Sequence, residues 1–359
     1  MQPTYKIYRS PVVVFSSLRC PFFLYTQLYS LSLLLFVTLS SQSPETMKLS
    51  SFLPLGLSAI ALAAPTPVEK RATGPIGYAS QNGGTTGGAG GSAVTVSSLS
   101  ELTAAVKAKG AAEITITSSI KGNGDNVKIG SDKTVRGKDS SVVLENLTLT
   151  VKGEKNVIIQ NLALKKVVGG DAVAVQKSTN VWLDHLDLSS DRDHDKDYYD
   201  GLLDLTHAAD FVTVSNTKLH DHWKASLVGH SDNNESEDKG HLRVTYHNNH
   251  WENINSRGPS LRFGTGHFFN NYYNGVSDGI NARLGAQVLV ENNVWVNSKK
   301  PLYSVDNDAG AVATGNDFGG QQNTAPKGTL TKVPYQYSPI AASAVKAAVV
   351  GKAGNTLKF

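Results

Sequence analysis

The chain has 359 residues, 18% of them charged, with 33 glycines and a single cysteine. That length allows one large core or two modest ones, and the lone Cys20 excludes a disulfide framework. Of 34 basic and 30 acidic residues, six and two respectively fall within residues 1–71, so the remainder is formally neutral; this argues against a nucleic-acid binder and leaves any recognition of a polyanion to local placement of charge.

The N-terminal part reads as export and processing sequence. Residues 47–64 form a signal peptide: Met47-Lys48 is a short basic start, and the apolar run after it ends in Ala61-Leu-Ala-Ala64. Residues 65–71 form a pro-segment closed by the dibasic pair Lys70-Arg71. Residues 1–46 hold a second uncharged, partly apolar stretch behind Lys6, Arg9 and Arg19. It is either a signal anchor or sequence upstream of a start at Met47, and the redundancy of two export segments in tandem favours the second. Residues 72–359 are then expected to be a single secreted domain, monomeric, without stable membrane association once processed. Lacking disulfides, it must be held by burial and hydrogen bonding.

In chain order, residues 79–92 are rich in Gly, Thr and Asn and read as an extended lead-in. Ser98-Leu99-Ser-Glu101 is a capping-box pattern. Leu99, Leu102 and Val106 repeat at helical spacing before Gly110, which predicts a short amphipathic helix. Ile114-Thr-Ile116 and Val142-Val143-Leu144 are β-rich. From residue 157 a weak repeat emerges, two alternating apolar residues followed by Asn or His. Its instances are Val157/Ile159/Asn161, Val181/Leu183/His185, Val212/Val214/Asn216, Val244/Tyr246/Asn248, His267/Phe269/Asn271, Val288/Val290/Asn292 and Val312/Thr314/Asn316. Alternation identifies strands, and recurrence every few tens of residues identifies a solenoid. Asn at a recurring inward corner could keep stacked turns hydrogen-bonded through its amide. A β-sandwich with chance asparagines is the competing reading. Residues 342–350 are helical in composition, stopped by Gly351, and would cover one flank.

The chemistry-bearing residues run acids first and cations second: Asp171, Asp200 and Asp204, then Lys224, Arg257 and Arg262. Only a coiled chain brings such distant positions together. Three carboxylates without an intervening cysteine or histidine ligand favour a hard cation, calcium ahead of magnesium. Gly201 permits the bend that Asp200 and Asp204 need to approach each other. The run Asp191-Arg-Asp193-His-Asp195-Lys-Asp197 is not an EF-hand, because Lys196 and Leu202 stand where Gly and Glu are required; it reads as a solvated loop. His220-Asp-His222 and His247-Asn-Asn-His250 lack the partners of a zinc site. Asn146-Leu-Thr148 and Asn234-Glu-Ser236 fit the N-glycosylation pattern.

Val181-Trp-Leu-Asp184-His185, the segment Asp200-Gly-Leu-Leu-Asp204, Lys224-Ala-Ser-Leu and Arg257-x-Pro-x-x-Arg262 together resemble the pectate lyases of polysaccharide lyase family 1. Asn82-Gly-Gly-Thr-Thr-Gly-Gly-Ala-Gly-Gly91 resembles the N-terminal segment of secreted fungal members. The resemblance covers roughly residues 77–320 and implies an all-β, right-handed parallel β-helix that cleaves polygalacturonate with calcium. By motif position it implies Asp171, Asp200 and Asp204 as calcium ligands, Lys224 and Arg262 as substrate-binding cations, and Arg257 as the catalytic arginine. Where some members carry a further acid two residues before the first, this chain has Gly169. Asp184 and His185 match a family signature, and we read them as structural.

The implied reaction removes the C5 proton of a galacturonate unit and expels the O4 glycosidic oxygen, so charge develops beside the C6 carboxylate; cations nearby would stabilise it. An arginine is protonated across the ordinary pH range, so a base role needs neighbouring cations or shared work by hydroxide, and predicts an alkaline optimum. An open groove on a solenoid flank favours endo cleavage. Three alternatives compete. Asp200 and Asp204 argue against a pectin lyase acting on methylated substrate. A polygalacturonase would need an Asp-Asp pair and a Gly-His-Gly, neither of which occurs. A non-catalytic polysaccharide-binding solenoid would have no use for Arg257.

Overall fold

The computed structural model describes residues 74–359. The segments 1–46, 47–64 and 65–71, with Cys20, lie outside the described residues. A strand that alternates apolar and polar side chains buries one face, and parallel strands laid side by side stack those faces into one column. The strands Lys155–Gln160, Thr179–Asp184, Asp210–Ser215, Arg243–His247, Thr265–Phe269 and Gln287–Glu291 do this in sequence order, with Val157, Val181, Val212 and Val244 in register. They are the middle of a ten-stranded sheet running from Ser92–Val96 to Gly310–Thr314.

Two further faces complete each coil. One carries Asp187–Ser189, Lys218–Lys224, His250–Ser256 and Tyr272–Val276; the other carries Val173–Gln176, Leu203–Thr206, Ser226–Val228, Ser260–Arg262 and Asp278–Arg283. The long strand Val143–Lys152 belongs to both, pairing first with Ala163–Lys165 and then with Val173–Gln176. The architecture is the expected parallel β-helix. Its interior is filled by Val, Ile and Leu, and by an aromatic stack in which Trp251, Tyr273 and Trp295 follow one another at 5.6 and 4.6 Å between ring centroids. Each such pair adds about 0.5–1.5 kcal/mol beyond its buried area.

The repeat is real, but two of its predicted instances slip by one residue. Val244 pairs with Gly266, not His267, and Val288 pairs with Ala311, not Val312. Both coils place a small residue at the first inward position, so the apolar alternation reads one residue late. The asparagines also divide into two columns. Asn161, His185, Asn216, Asn248, Asn270 and Asn292 follow their strands in the left-handed region, with φ between 48° and 56°, a conformation asparagine tolerates better than most residues. The amide ladder lies one residue further on. Asn249 Nδ2 donates to Asn271 Oδ1 at 3.0 Å, Asn271 to Asn293 at 2.8 Å, and Asn293 to Asn316 at 3.0 Å.

The predicted helices are present. Leu99–Lys107 starts at Ser98, whose side chain accepts from Glu101 N, and buries Leu102 and Val106. Ala342–Val349 packs Val345 and Val349 against Tyr272 and Val294, covering that flank. The glycine-rich lead-in straps the outside of the ten-stranded sheet: Tyr78 N, Ala79 N and Gly88 N donate to the hydroxyls of Thr245, Thr213 and Thr134, each at 3.0 Å. A Cβ at Gly88 would stand 1.9 Å from Ala112 O, so only glycine lets the strap lie this close. Among the described residues no helix is long and apolar enough to cross a membrane.

Candidate active site

Asp184 and His185 sit at the end of a strand of the ten-stranded sheet, on a different face from the other motif residues. The Asp184 carboxylate is buried and accepts from Ser215 Oγ at 2.7 Å, Asn216 Nδ2 at 2.9 Å, Gln160 Nε2 at 2.7 Å and His185 Nδ1 at 2.8 Å. Burial works against its charge, yet the hydrogen bonds from His185, Asn216 and Gln160 hold it below the usual carboxylate range. A carboxylate satisfied from four sides ties three coils together, which is the structural role expected.

The remaining residues gather where the coil turns into the strands Val173–Gln176, Leu203–Thr206, Ser226–Val228 and Ser260–Arg262. Backbone hydrogen bonds stack these turns. Ala172 N donates to Gly201 O at 3.2 Å, Leu202 N to Ala225 O at 3.0 Å, and Ser226 N to Arg257 O at 2.9 Å. Neighbouring coils lie about 5 Å apart, so Asp171, Gly201, Lys224 and Arg257 form one file of short spacing despite their distance in sequence.

Within this file Asp171 and Asp204 face each other across Gly201. Asp171 Oδ1 accepts from Gly201 N, and Asp204 Oδ1 from Leu227 N, both at 2.9 Å. A Cβ built on Gly201 would lie 2.6 Å from Asp171 Oδ1 and 2.7 Å from Asp204 Oδ1. The missing side chain thus leaves a small cradle with carboxylate oxygen on two sides. Burial and the Asp200 charge push Asp171 up to about 6; burial and the Asp171 charge raise Asp204 well above its ordinary value, while Arg257 opposes both shifts. Two desolvated acids this close repel unless a cation or proton intervenes. Asp200 is turned differently: its Oδ1 accepts from Lys224 Nζ at 3.1 Å. Among the described residues no three acidic or histidine side chains are gathered closely enough to enclose a metal ion by themselves; the oxygen donors of Asp171 and Asp204 fit a hard cation, with Asp200 on the rim.

The cations differ in how they are held. Lys224 Nζ is shared by Asp200 and Asp197, each at 3.1 Å; burial disfavours its charge, but these hydrogen bonds outweigh that and raise it above its ordinary value. Arg262 Nε donates to Asp232 Oδ1 at 2.5 Å and its NH1 to Gly229 O at 3.0 Å. Arg257 has φ 61°, the left-handed backbone that many non-glycine corner residues of this solenoid share. Its guanidinium makes no hydrogen bond or ion pair with the protein among the described residues, although it lies within the field of Asp171, Asp204 and Lys224.

Sequence reasoning missed four participants. Asp197 lay hidden in the mixed-charge run taken for a solvated loop, and its side chain is indeed 66% exposed. His222, fully buried, donates from Nε2 to Asp200 O at 2.9 Å while Ser190 Oγ donates to its Nδ1, so it fixes the turn that bears Asp200. Arg283 is the register partner of Arg262 on the next coil, and Asp232 bridges the two. Counting one short coil of about two dozen residues forward from Arg262 would have found Arg283; no local pattern marks Asp232. At the glycosylation motifs, Asn234 Nδ2 donates to Glu237 and Asp238, and Asn146 Oδ1 accepts from Val168 N.

Comparison with known proteins agrees with the fold and with the family resemblance. The family model described as pectate lyase matches residues 50–357. A probable pectate lyase A of Neosartorya fischeri is 61% identical over 321 residues, covering 86% of this chain and 99% of that protein. Pectate lyase A of Aspergillus niger is 60% identical over 306 residues, covering 83% and 94%. Among solved structures, a pectate lyase from Bacillus sp. N165 in complex with trigalacturonate superposes with a TM-score of 0.72 at 30% identity, covering 78% of this chain and 98% of that one. With its solenoid, its file of acids and cations and these relatives, the chain belongs to the pectate lyase family.

Proposed function

We propose that this chain is a secreted enzyme that cleaves α-1,4-polygalacturonate by β-elimination with calcium, releasing 4,5-unsaturated oligogalacturonides. The observation that carries the reading is the file itself: a two-carboxylate cradle at Gly201, a lysine beside it, and on the next coil an arginine unpartnered among the described residues. Asp171 and Asp204 would hold calcium, with Asp200 completing the set from the rim. When bound, calcium supplies positive charge between protein and substrate carboxylates.

The chain's own residues do the rest. Lys224 and Arg262 hold the C6 carboxylate of the unit being cleaved and steady the charge that builds as C5 loses its proton. Arg257, without a hydrogen-bond or ion-pair partner among the described residues, takes that proton; the C5 electron pair forms the C4–C5 double bond, and O4 leaves with the rest of the polymer. An arginine is protonated across the ordinary pH range, so this base role needs alkaline conditions or shared work by hydroxide, which predicts an alkaline optimum. An open groove on a solenoid flank would suit endo cleavage. The leader-like residues 47–64 support export. Processing after Arg71 would release residues 72–359 as a monomeric domain that meets polysaccharide outside the cell.

The test is growth of ultraviolet absorbance from the unsaturated product on polygalacturonate, with calcium and then with excess chelator. Absorbance that requires calcium supports the proposal. Cleavage of methylated pectin alone, indifferent to chelator, would instead indicate a pectin lyase, and binding without absorbance a non-catalytic solenoid.

A further inference from the structure

The loop of residues 229–241 connects the strands Ser226–Val228 and Arg243–His247 beside the proposed site. It is firmly built. Asp238 is fully buried and accepts from Ala208 N at 2.7 Å, His230 N at 3.2 Å and Asn234 Nδ2 at 2.9 Å. This fixed loop carries Asp232 over two arginines. Its Oδ1 accepts from Arg262 Nε at 2.5 Å and its Oδ2 from Arg283 NH2 at 3.0 Å. The side chains of Arg262 and Arg283 are 13% and 19% exposed, that of Asp232 59%. The carboxylate therefore covers the guanidinium groups on their solvent side, the side from which a polymer must arrive. Arg262 does not depend on Asp232 alone for its orientation, because NH1 is also bonded to Gly229 O. Lys224 repeats the pattern on another loop, where the exposed Asp197 shares its ammonium.

We propose that Asp232 is a specificity-determining residue that stands where a substrate carboxylate binds Arg262, so that substrate must displace it. The proposal rests on the reading of Arg262 as a substrate contact. An internal carboxylate on that cation weakens the pull on every incoming galacturonate, and it does so most for densely charged, unesterified polymer. A methylated unit, with no carboxylate to exchange, gains little from displacing it. Asp232 thereby narrows the difference in affinity between unesterified and partly esterified pectin.

The test compares Asp232→Asn with Glu235→Gln. The second variant removes the same charge from the same loop, but Glu235 bonds only Lys239 there, at 2.7 Å, and touches neither arginine. KM is measured on polygalacturonate and on partly methylated pectin at low salt. A calorimetric titration with trigalacturonate, calcium chelated so that no turnover occurs, reads binding independently of catalysis. For Asp232→Asn, KM and Kd on unesterified substrate should fall about three- to fivefold, the range one exposed ion pair can supply. The gain should be smaller on methylated pectin and should fade at high salt. Glu235→Gln should match the wild type. Unchanged or raised KM and Kd in Asp232→Asn would overturn the proposal, as would an equal gain in both variants. A wild-type protein without lyase activity would refute the proposed function instead, while the titration would still show whether Asp232 competes with a carboxylate ligand.

Discussion

Gly201→Ala tests the cradle with one methyl group. Gly201 φ lies outside the left-handed region, so alanine brings no strain of that kind to the turn. Its Cβ would, however, stand 2.6 Å from Asp171 Oδ1 and 2.7 Å from Asp204 Oδ1, where ordinary contact begins at 3.4 Å. Each oxygen must therefore retreat by about 0.7–0.8 Å or give up its hydrogen bond. Calcium–oxygen bonds span only about 2.3–2.6 Å, so a displacement of that size, with a methyl group in the space between, removes at least one ligand. Calcium affinity should fall at least about tenfold, or about 1.4 kcal/mol. The fold should survive, because Ala172 N still finds Gly201 O; the thermal midpoint without calcium should move by no more than a few degrees. Calorimetric calcium titration with parallel melts measures both. Calcium affinity within twofold of wild type would show that no cation sits between Asp171 and Asp204.

Three further outcomes are expected. Arg257→Lys keeps a cation but loses reach and the planar fork, so kcat should drop at least about a hundredfold with KM changed far less; a near-normal kcat at saturating polygalacturonate removes Arg257 from the proton transfer. Asp184→Asn faces four hydrogen-bonding neighbours with an amide that can accept through only one oxygen, and should cost about 3–5 kcal/mol in chemical denaturation while leaving calcium affinity intact, since Asp184 lies on another face. His247 is buried with neither ring nitrogen partnered among the described residues and is pushed down to about 4 from its ordinary 6.5 by burial. It stays neutral in the fold while the unfolded chain takes up a proton, so its contribution is present above pH 6.5 and lost as pH falls from 6.5 to about 4. Thermal melts across that window should show a shallower decline for His247→Phe, whose ring can keep the stack on Phe269.

The sequence by itself determined the solenoid and singled out the candidate site residues. Alternation gives strands wherever one face is buried, and the order of Asp171, Asp200, Asp204, Lys224, Arg257 and Arg262 is written in the chain. The capping box at Ser98 and the run after Ala341 announced the helices, because a helix start or stop is a matter of a few adjacent residues. Register was another matter. Where Gly266 and Ala311 take the inward position usually held by valine, only the pairing with neighbouring coils shows which face is buried, and pattern alone slips by one. The two asparagine columns separate for the same reason: one answers to a local φ, the other to an amide on the next coil. The cradle at Gly201, the sharing of Lys224 by Asp197 and Asp200, and the bridge from Asp232 to Arg262 and Arg283 were decided only in three dimensions. Each joins side chains on different coils or on a loop folded over them, and the distance between such groups is set by the stacking of the coils, which no stretch of sequence encodes locally.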